Sequence, residues 1–131
     1  MEKEVAVSII IPVLNGEKTI RACLDSVFSC KTIDYEVIVI DDGSTDNTFS
    51  IAKEYPCKII RLETNKGRSF ARNRGIEESR ARTLLFTDSD CIVCENWQAL
   101  SLKHFKEKQE KDKNLSAMEG RILALKGFIN K

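Results

Sequence analysis

The sequence predicts an α/β fold: an open, mostly parallel sheet with helices on both faces. Two observations carry this. Near-continuous β-branched runs, which mark strands covered on both sides, alternate along the chain with stretches of helical period. The helical stretches between strands are about ten residues long, enough for right-handed crossovers between parallel neighbours.

Taken in order, Val5 to Val13 (VAVSIIIPV) is the first buried strand, closed by Pro12 because proline cannot donate to a central ladder. From Glu17 the period changes, and Ile20, Cys23, Leu24, Val27 and Phe28 fall on one apolar helical stripe. Tyr35 to Ile40 (YEVIVI) is the second strand, Thr48 to Tyr55 a short amphipathic helix, and Cys57 to Leu62 (CKIIRL) the third strand. Ser69 to Ser79 makes a helix carrying Phe70, Ala71 and Ile76, and Thr83 to Thr87 (TLLFT) is the fourth strand. Glu95 to Asp112 forms a longer helix, apolar at Trp97, Leu100 and Phe105 with a solvated, charged end. Leu115 to Leu125 supplies one further strand.

The 131 residues are 42% hydrophobic and 31% charged, the composition of a single globular domain spanning residues 1–131 rather than of a disordered or repetitive chain. The 21 Lys and Arg against 20 Asp and Glu leave a net charge of +1, so no nucleic acid or anionic membrane is implied as a whole-chain partner. The first apolar stretch contains Pro12, follows Glu2 and Glu4 and lacks a small-residue cleavage site, and every apolar run is too short to span a bilayer. Five cysteines, an odd number set in apolar patterns, suit reduced thiols. A cytoplasmic location is the expectation.

Ligands of open α/β sheets sit beyond the carboxyl ends of the strands. Here the second strand runs into DDGSTD (Asp41 to Asp46) and the fourth into DSD (Asp88 to Asp90). A turn and a helix cap account for Gly43, Ser44 and Asp46. Two consecutive carboxylates exceed what a turn needs, so Asp41 or Asp42 is a ligand candidate. Asp88 and Asp90 serve either as turn formers or as an oxygen-rich corner for a hard cation such as Mg2+ or Mn2+, which would neutralise a diphosphate. The basic counterpart is residues 61–82, with seven Lys or Arg against three Glu. Its core, NKGRSFARNRG (Asn65 to Gly75), feeds a helix N-terminus, where free amides favour anions. Arg72 is the preferred cation because it lies within the helix. No dinucleotide-binding glycine motif or P-loop is present. Cys91 and Cys94 form one C-x-x-C beside a lone His104, too few ligands for a zinc site.

These segments together resemble the nucleotide-sugar-binding half of the family 2 glycosyltransferases, inverting enzymes with the Rossmann-like GT-A fold. The resemblance runs through SIIIPVLNGEKTI (Ser8 to Ile20), YEVIVIDDGSTDNT (Tyr35 to Thr48), NKGRSFARNRGIEES (Asn65 to Ser79) and LLFTDSDCIV (Leu84 to Val93), with GRILAL (Gly120 to Leu125) as a weaker fifth segment. It implies that Pro12 and Val13 line a nucleobase pocket with Glu17 at its mouth, and that Asp42 accepts a hydrogen bond from the base beside Asp41. It also implies that Arg72 faces the donor, that Asp88 approaches the ribose or sugar, and that Asp90 binds Mg2+ or Mn2+. The implied partner is a UDP- or GDP-type nucleoside-diphosphate sugar. Leu14 departs from the aromatic residue frequent in the family, and Gly16 from its acid.

In the family, the general base and acceptor surface follow the segment matched here, and the expectation is a donor-binding part without them. An exposed sheet edge then makes self-association an expectation as well. The alternatives are a catalytically inactive nucleotide-sugar-binding or regulatory module and, more remotely, a receiver-like phosphoacceptor domain. A receiver places its acidic pair after the first strand rather than the second.

Overall fold

Strands and helices alternate strictly through residues 4–118, the part of the chain described by the computed structural model. The order is β1 (Val7–Val13), α1 (Ile20–Val27), β2 (Tyr35–Asp41), α2 (Thr48–Ala52), β3 (Lys58–Arg61), α3 (Arg68–Glu78), β4 (Thr83–Phe86) and α4 (Trp97–Lys111). All pairings are parallel and the strand order is β3-β2-β1-β4. Successive strands step outward from β1 to β3, and the chain then crosses back to lay β4 on the other side of β1. The carboxyl ends of β1 and β4 therefore flank the point where the winding reverses, the place where such sheets bind ligands. A receiver domain has order 2-1-3-4-5, so this topology removes that alternative.

The pleat sorts the core into two faces. Ile9, Ile11 and Val13 of β1 and Val37 and Val39 of β2 point to one side and pack with Ile20, Leu24 and Val27 of α1, Ala52 of α2 and Leu102 of α4. On the other side Ile38 and Ile40 meet Ala71 of α3. Helices thus cover both faces, and β1 and the inner part of β2 are buried throughout, as their unbroken apolar runs predict. Gly75 lets α3 approach: a Cβ there would lie 2.5 Å from Ile10 Cγ2.

Two expectations change, and a third lies mostly outside the described residues. Pro12 does not close β1, which continues to Val13 with Pro12 opposite Ile40 of β2. Ile10 bonds toward β4, accepting from the Thr87 amide, whereas Val13 bonds toward β2, accepting from the Asp42 amide. Alternate residues bond to opposite neighbours, so Pro12 faces the β4 side. The β1–β4 register stops at Ile10 and Phe86, and the missing N–H falls beyond the end of that ladder. On α4, Leu100 is exposed while Gln98 is fully buried, its Nε2 donating to the Val27 carbonyl at 2.6 Å. A hydrogen bond to the end of α1 outweighs the apolar pattern. The proposed strand from Leu115 to Leu125 falls mostly outside the described residues, and its first four, 115–118, form no strand. Other boundaries shift by a few residues, as helix and strand ends fray. No described helix is long and apolar enough to cross a membrane.

Candidate functional site

The β1–α1 loop and the β2–α2 loop are laced together beyond the sheet. Asn15, held at φ 50, receives the Thr45 amide on Oδ1 at 2.8 Å and donates its own amide to Ser44 Oγ at 2.8 Å. The Gly16 amide donates to Thr48 Oγ1 at 2.9 Å and the Glu17 amide to Asp46 Oδ2 at 3.2 Å. Asp46 also takes the Thr48 hydroxyl and the Thr48 amide, the latter at 3.0 Å. Burial pushes the Asp46 carboxyl up, but these hydrogen bonds outweigh it and hold it below its ordinary value. Glu17 Oε2 accepts the Asn47 amide at 3.1 Å, which ties the β1–α1 loop to the residue just before α2. The resemblance implies Glu17 at a pocket mouth; within the chain its bonds to Asp46 and Asn47 tie the two loops together.

The consecutive carboxylates of DDGSTD have different partners. Asp41 is fully buried and accepts the Ser44 amide on Oδ1 at 2.9 Å, while Oδ2 has no hydrogen-bond partner among the described residues. Asp42 is also buried. Its two oxygens accept the Lys66 and Gly67 amides at 2.7 and 3.0 Å, which fastens the loop entering α3 to the end of β2. Gly43, at φ +81, has its open side against that same loop, where a Cβ would meet the Asn65 nitrogen at 2.9 Å. Pro12 and Val13 are buried at the end of β1 next to this turn.

Across the reversal point, the loop after β4 carries the second acidic group. Arg72 of α3 reaches Asp88, Nη2 to Oδ1 at 3.2 Å, each side chain somewhat over a third exposed. The Asp88 carbonyl accepts the Cys91 amide at 3.1 Å and the Cys23 thiol at 3.5 Å. Burial, reinforced by the charges of Cys91, Asp90 and Asp88, pushes the Cys23 thiol up to about 12, so it stays a neutral donor. The Val93 amide bonds Ser26 Oγ at 3.1 Å, pinning the loop to α1. Gly16 packs between the two halves: a Cβ there would stand 2.7 Å from Val13 Cγ2 and 3.4 Å from Ser89 Oγ.

One ligand atom each from Asp88, Asp90 and Cys91 lie within 4.8 Å of one another. Two carboxylates and a thiol so close together form a donor set that fits a divalent cation. Cys91 is the member that sequence reading passed over, because its obvious partner in sequence was Cys94. The signal available was adjacency to the DSD motif, and the turn that bonds Cys91 to Asp88 is what brings it in. A groove of about 940 Å³ continues from Arg72, Asp88 and Cys91 along the outer edge of β4, between Ile76 of α3 and Trp97 and Phe105 of α4.

Known proteins resemble the chain in sequence and in fold. The chain is 40% identical over 98 residues to the glycosyltransferase AglE of Haloferax volcanii, covering 70% of this chain and 32% of that protein. It is 40% identical over 87 residues to the uncharacterized glycosyltransferase YibD of Escherichia coli, covering 63% of this chain and 25% of the relative. Staphylococcus aureus TarS, residues 1–349, solved with UDP-GlcNAc, superposes on 80% of this chain and 32% of its own at TM-score 0.72 and 30% identity. Glucosyl-3-phosphoglycerate synthase from Mycobacterium tuberculosis, solved with Mn2+, UDP and glucosyl-3-phosphoglycerate, superposes on 67% of this chain and 34% of its own at TM-score 0.60 and 28% identity. The same enzyme has been solved with Mg2+ and UDP. The chain therefore spans about a quarter to a third of the length of these relatives. Residues 8–112 match the family model for glycosyl transferase family 2, so all of the described sheet but Val7 and both acidic loops lie inside the matched segment. The chain belongs to glycosyl transferase family 2.

Proposed function

We propose that this chain is a donor-binding unit that holds a UDP- or GDP-type nucleoside-diphosphate sugar in the crevice between β1 and β4, in a system for inverting transfer of the sugar. The observation that carries the reading is the convergence of the Asp88–Asp90 corner and the Arg72 guanidinium at the point where the sheet's winding reverses. Relatives with bound UDP, UDP-GlcNAc, Mn2+ and Mg2+ support it.

In this reading Pro12 and Val13 line the base pocket, with Asp41 and Asp42 beside it and Glu17 at its mouth. Asp42 does two tasks: it fixes the loop at residues 64–67 through two amides and offers its remaining lone pairs to the base. Arg72 exchanges part of its contact with Asp88 for the diphosphate, while Asp88 faces the ribose or sugar. Asp90 and Asp88 would hold Mg2+ or Mn2+, which when bound would supply positive charge against the departing diphosphate. The proposed location is the cytoplasm, which all five cysteines being free thiols supports.

Two variants test the division of labour. Asp42→Ala is expected to weaken nucleotide binding by about tenfold or more with or without metal, the scale of a lost hydrogen bond to a charged group. Asp90→Ala is expected to remove mainly the metal-dependent part. Calorimetric titration reads both, and identical losses in the two variants contradict the assignment.

A further inference from the structure

We propose that Cys91 Sγ is a third protein ligand of the cation at Asp88 and Asp90, making this corner a mixed oxygen–sulfur site that favours thiophilic divalent ions such as Zn2+ over Mg2+. The proposal rests on the metal reading of the two carboxylates and adds the class of metal. It starts from the geometry. The donor atoms of Asp88, Asp90 and Cys91 all fall within 4.8 Å of one another, and Cys91 Sγ stands 3.8 Å from Asp90 Oδ1. Carboxylate oxygens bind zinc at roughly 2.0–2.2 Å and thiolate sulfur at roughly 2.3 Å. Two ligands on opposite sides of one ion are then roughly 4.3–4.5 Å apart and adjacent ligands are closer, so three donors at these separations reach one ion with small side-chain adjustments.

The other thiols are placed differently. Cys23 is fully buried and spends its S–H on the Asp88 carbonyl, so it supports the loop from below. Cys94 is exposed and lies outside the cluster. The Cys91 side chain is only partly buried, and its backbone is fixed by the amide bond to Asp88, which keeps the thiol with the carboxylates. On binding, the thiol gives its proton to solvent and the thiolate donates to the metal. Two hard carboxylate donors alone suit Mg2+ or Mn2+; adding a soft thiolate raises affinity for Zn2+ far more than for Mg2+.

The test is a Co2+ titration of the full chain followed by absorbance, beside Zn2+ and Mg2+ affinities for the wild type, Cys91→Ser, Cys94→Ser and Asp90→Asn. The expected result is a near-ultraviolet sulfur-to-cobalt charge-transfer band in the wild type and in Cys94→Ser that vanishes in Cys91→Ser. The Zn2+ to Mg2+ affinity ratio is expected to fall about tenfold or more in Cys91→Ser. Bound Zn2+ should also slow alkylation of Cys91 in the unmodified chain, read by mass spectrometry, while leaving Cys94 as reactive as before. Co2+ binding that Asp90→Asn abolishes but that shows no charge-transfer band, with Cys91 unprotected, overturns the sulfur ligand and leaves the carboxylate site standing. No loss of metal binding in Asp90→Asn, again without a band, overturns the metal reading beneath it.

Discussion

Asp42 shows how one side chain links fold to site. Its two oxygens hold the Lys66 and Gly67 amides, so the carboxylate positions the loop that enters α3, the helix carrying Arg72. Glu36 does comparable work at the opposite end of the sheet, where it accepts from Ser8 Oγ, the Arg80 amide at 2.6 Å and Arg80 Nε at 3.3 Å. Burial pushes the Glu36 carboxyl up, but these donors outweigh it and hold it below its ordinary 4.5. A depressed folded value means that the stabilisation is fully present above the unfolded value and disappears as pH falls through the folded one. Glu36→Gln is therefore expected to cost about 1–3 kcal/mol near neutral pH. The difference from wild type should shrink as pH drops below 4.5. Urea unfolding of both proteins across that range checks it; a gap that stays constant into acid contradicts it. At this scale the sequence was a partial guide. Residue type and position after a strand pointed to Asp41, Asp42, Asp88 and Asp90, but which amide each carboxylate would take depends on loops far apart in the chain. Glu17, expected at a pocket mouth, also accepts the Asn47 amide from thirty residues away, a contact its position in the sequence does not show.

At the scale of elements, close approach decides more than propensity does. Gly75 sits in the middle of α3, where alanine would favour the helix by about 1 kcal/mol. Its Cβ would lie 2.5 Å from Ile10, which is fully buried. Overpacking of this kind costs about 1–3 kcal/mol, so Gly75→Ala should lower the denaturation midpoint despite the better propensity. An unchanged or raised midpoint would mean that α3 can lift off β1 freely. Gly43→Ala meets both a positive φ and the Asn65 nitrogen. It should displace the loop that Asp42 holds and weaken nucleotide binding more than it lowers overall stability. Strands were legible because buried parallel strands have continuous apolar runs, and β1 and β2 show this most clearly. The path of β1 through Pro12 was not, since it depends on where a neighbouring strand stops. Nor was the outward turn of Leu100, since Gln98 finds a backbone acceptor on a different helix.

Across the whole molecule, the two sheet edges differ. β3 ends in Lys58 and Arg61, and Lys58 pairs with Glu78. β4 reads TLLF without a charge, and Phe86 and Ile76 are exposed along its groove. Among the described residues no strand pairs with the outer edge of β4, and an uncharged edge of this kind invites strand pairing. We expect a second copy of the chain to occupy it, so that light scattering at high concentration gives more than the 14.9 kDa of one chain. Phe86→Lys should restore the single-chain mass; a monomeric wild type at high concentration contradicts this. The central claim is that the crevice between β1 and β4 is a working donor pocket. It is tested most directly by calorimetric titration of the wild-type chain with UDP, GDP and their sugar conjugates, first with Mn2+ and then with EDTA. Saturable binding of one nucleotide type, weakened when EDTA removes the metal, is the expected result. No binding of any of these nucleotides under either condition would contradict it.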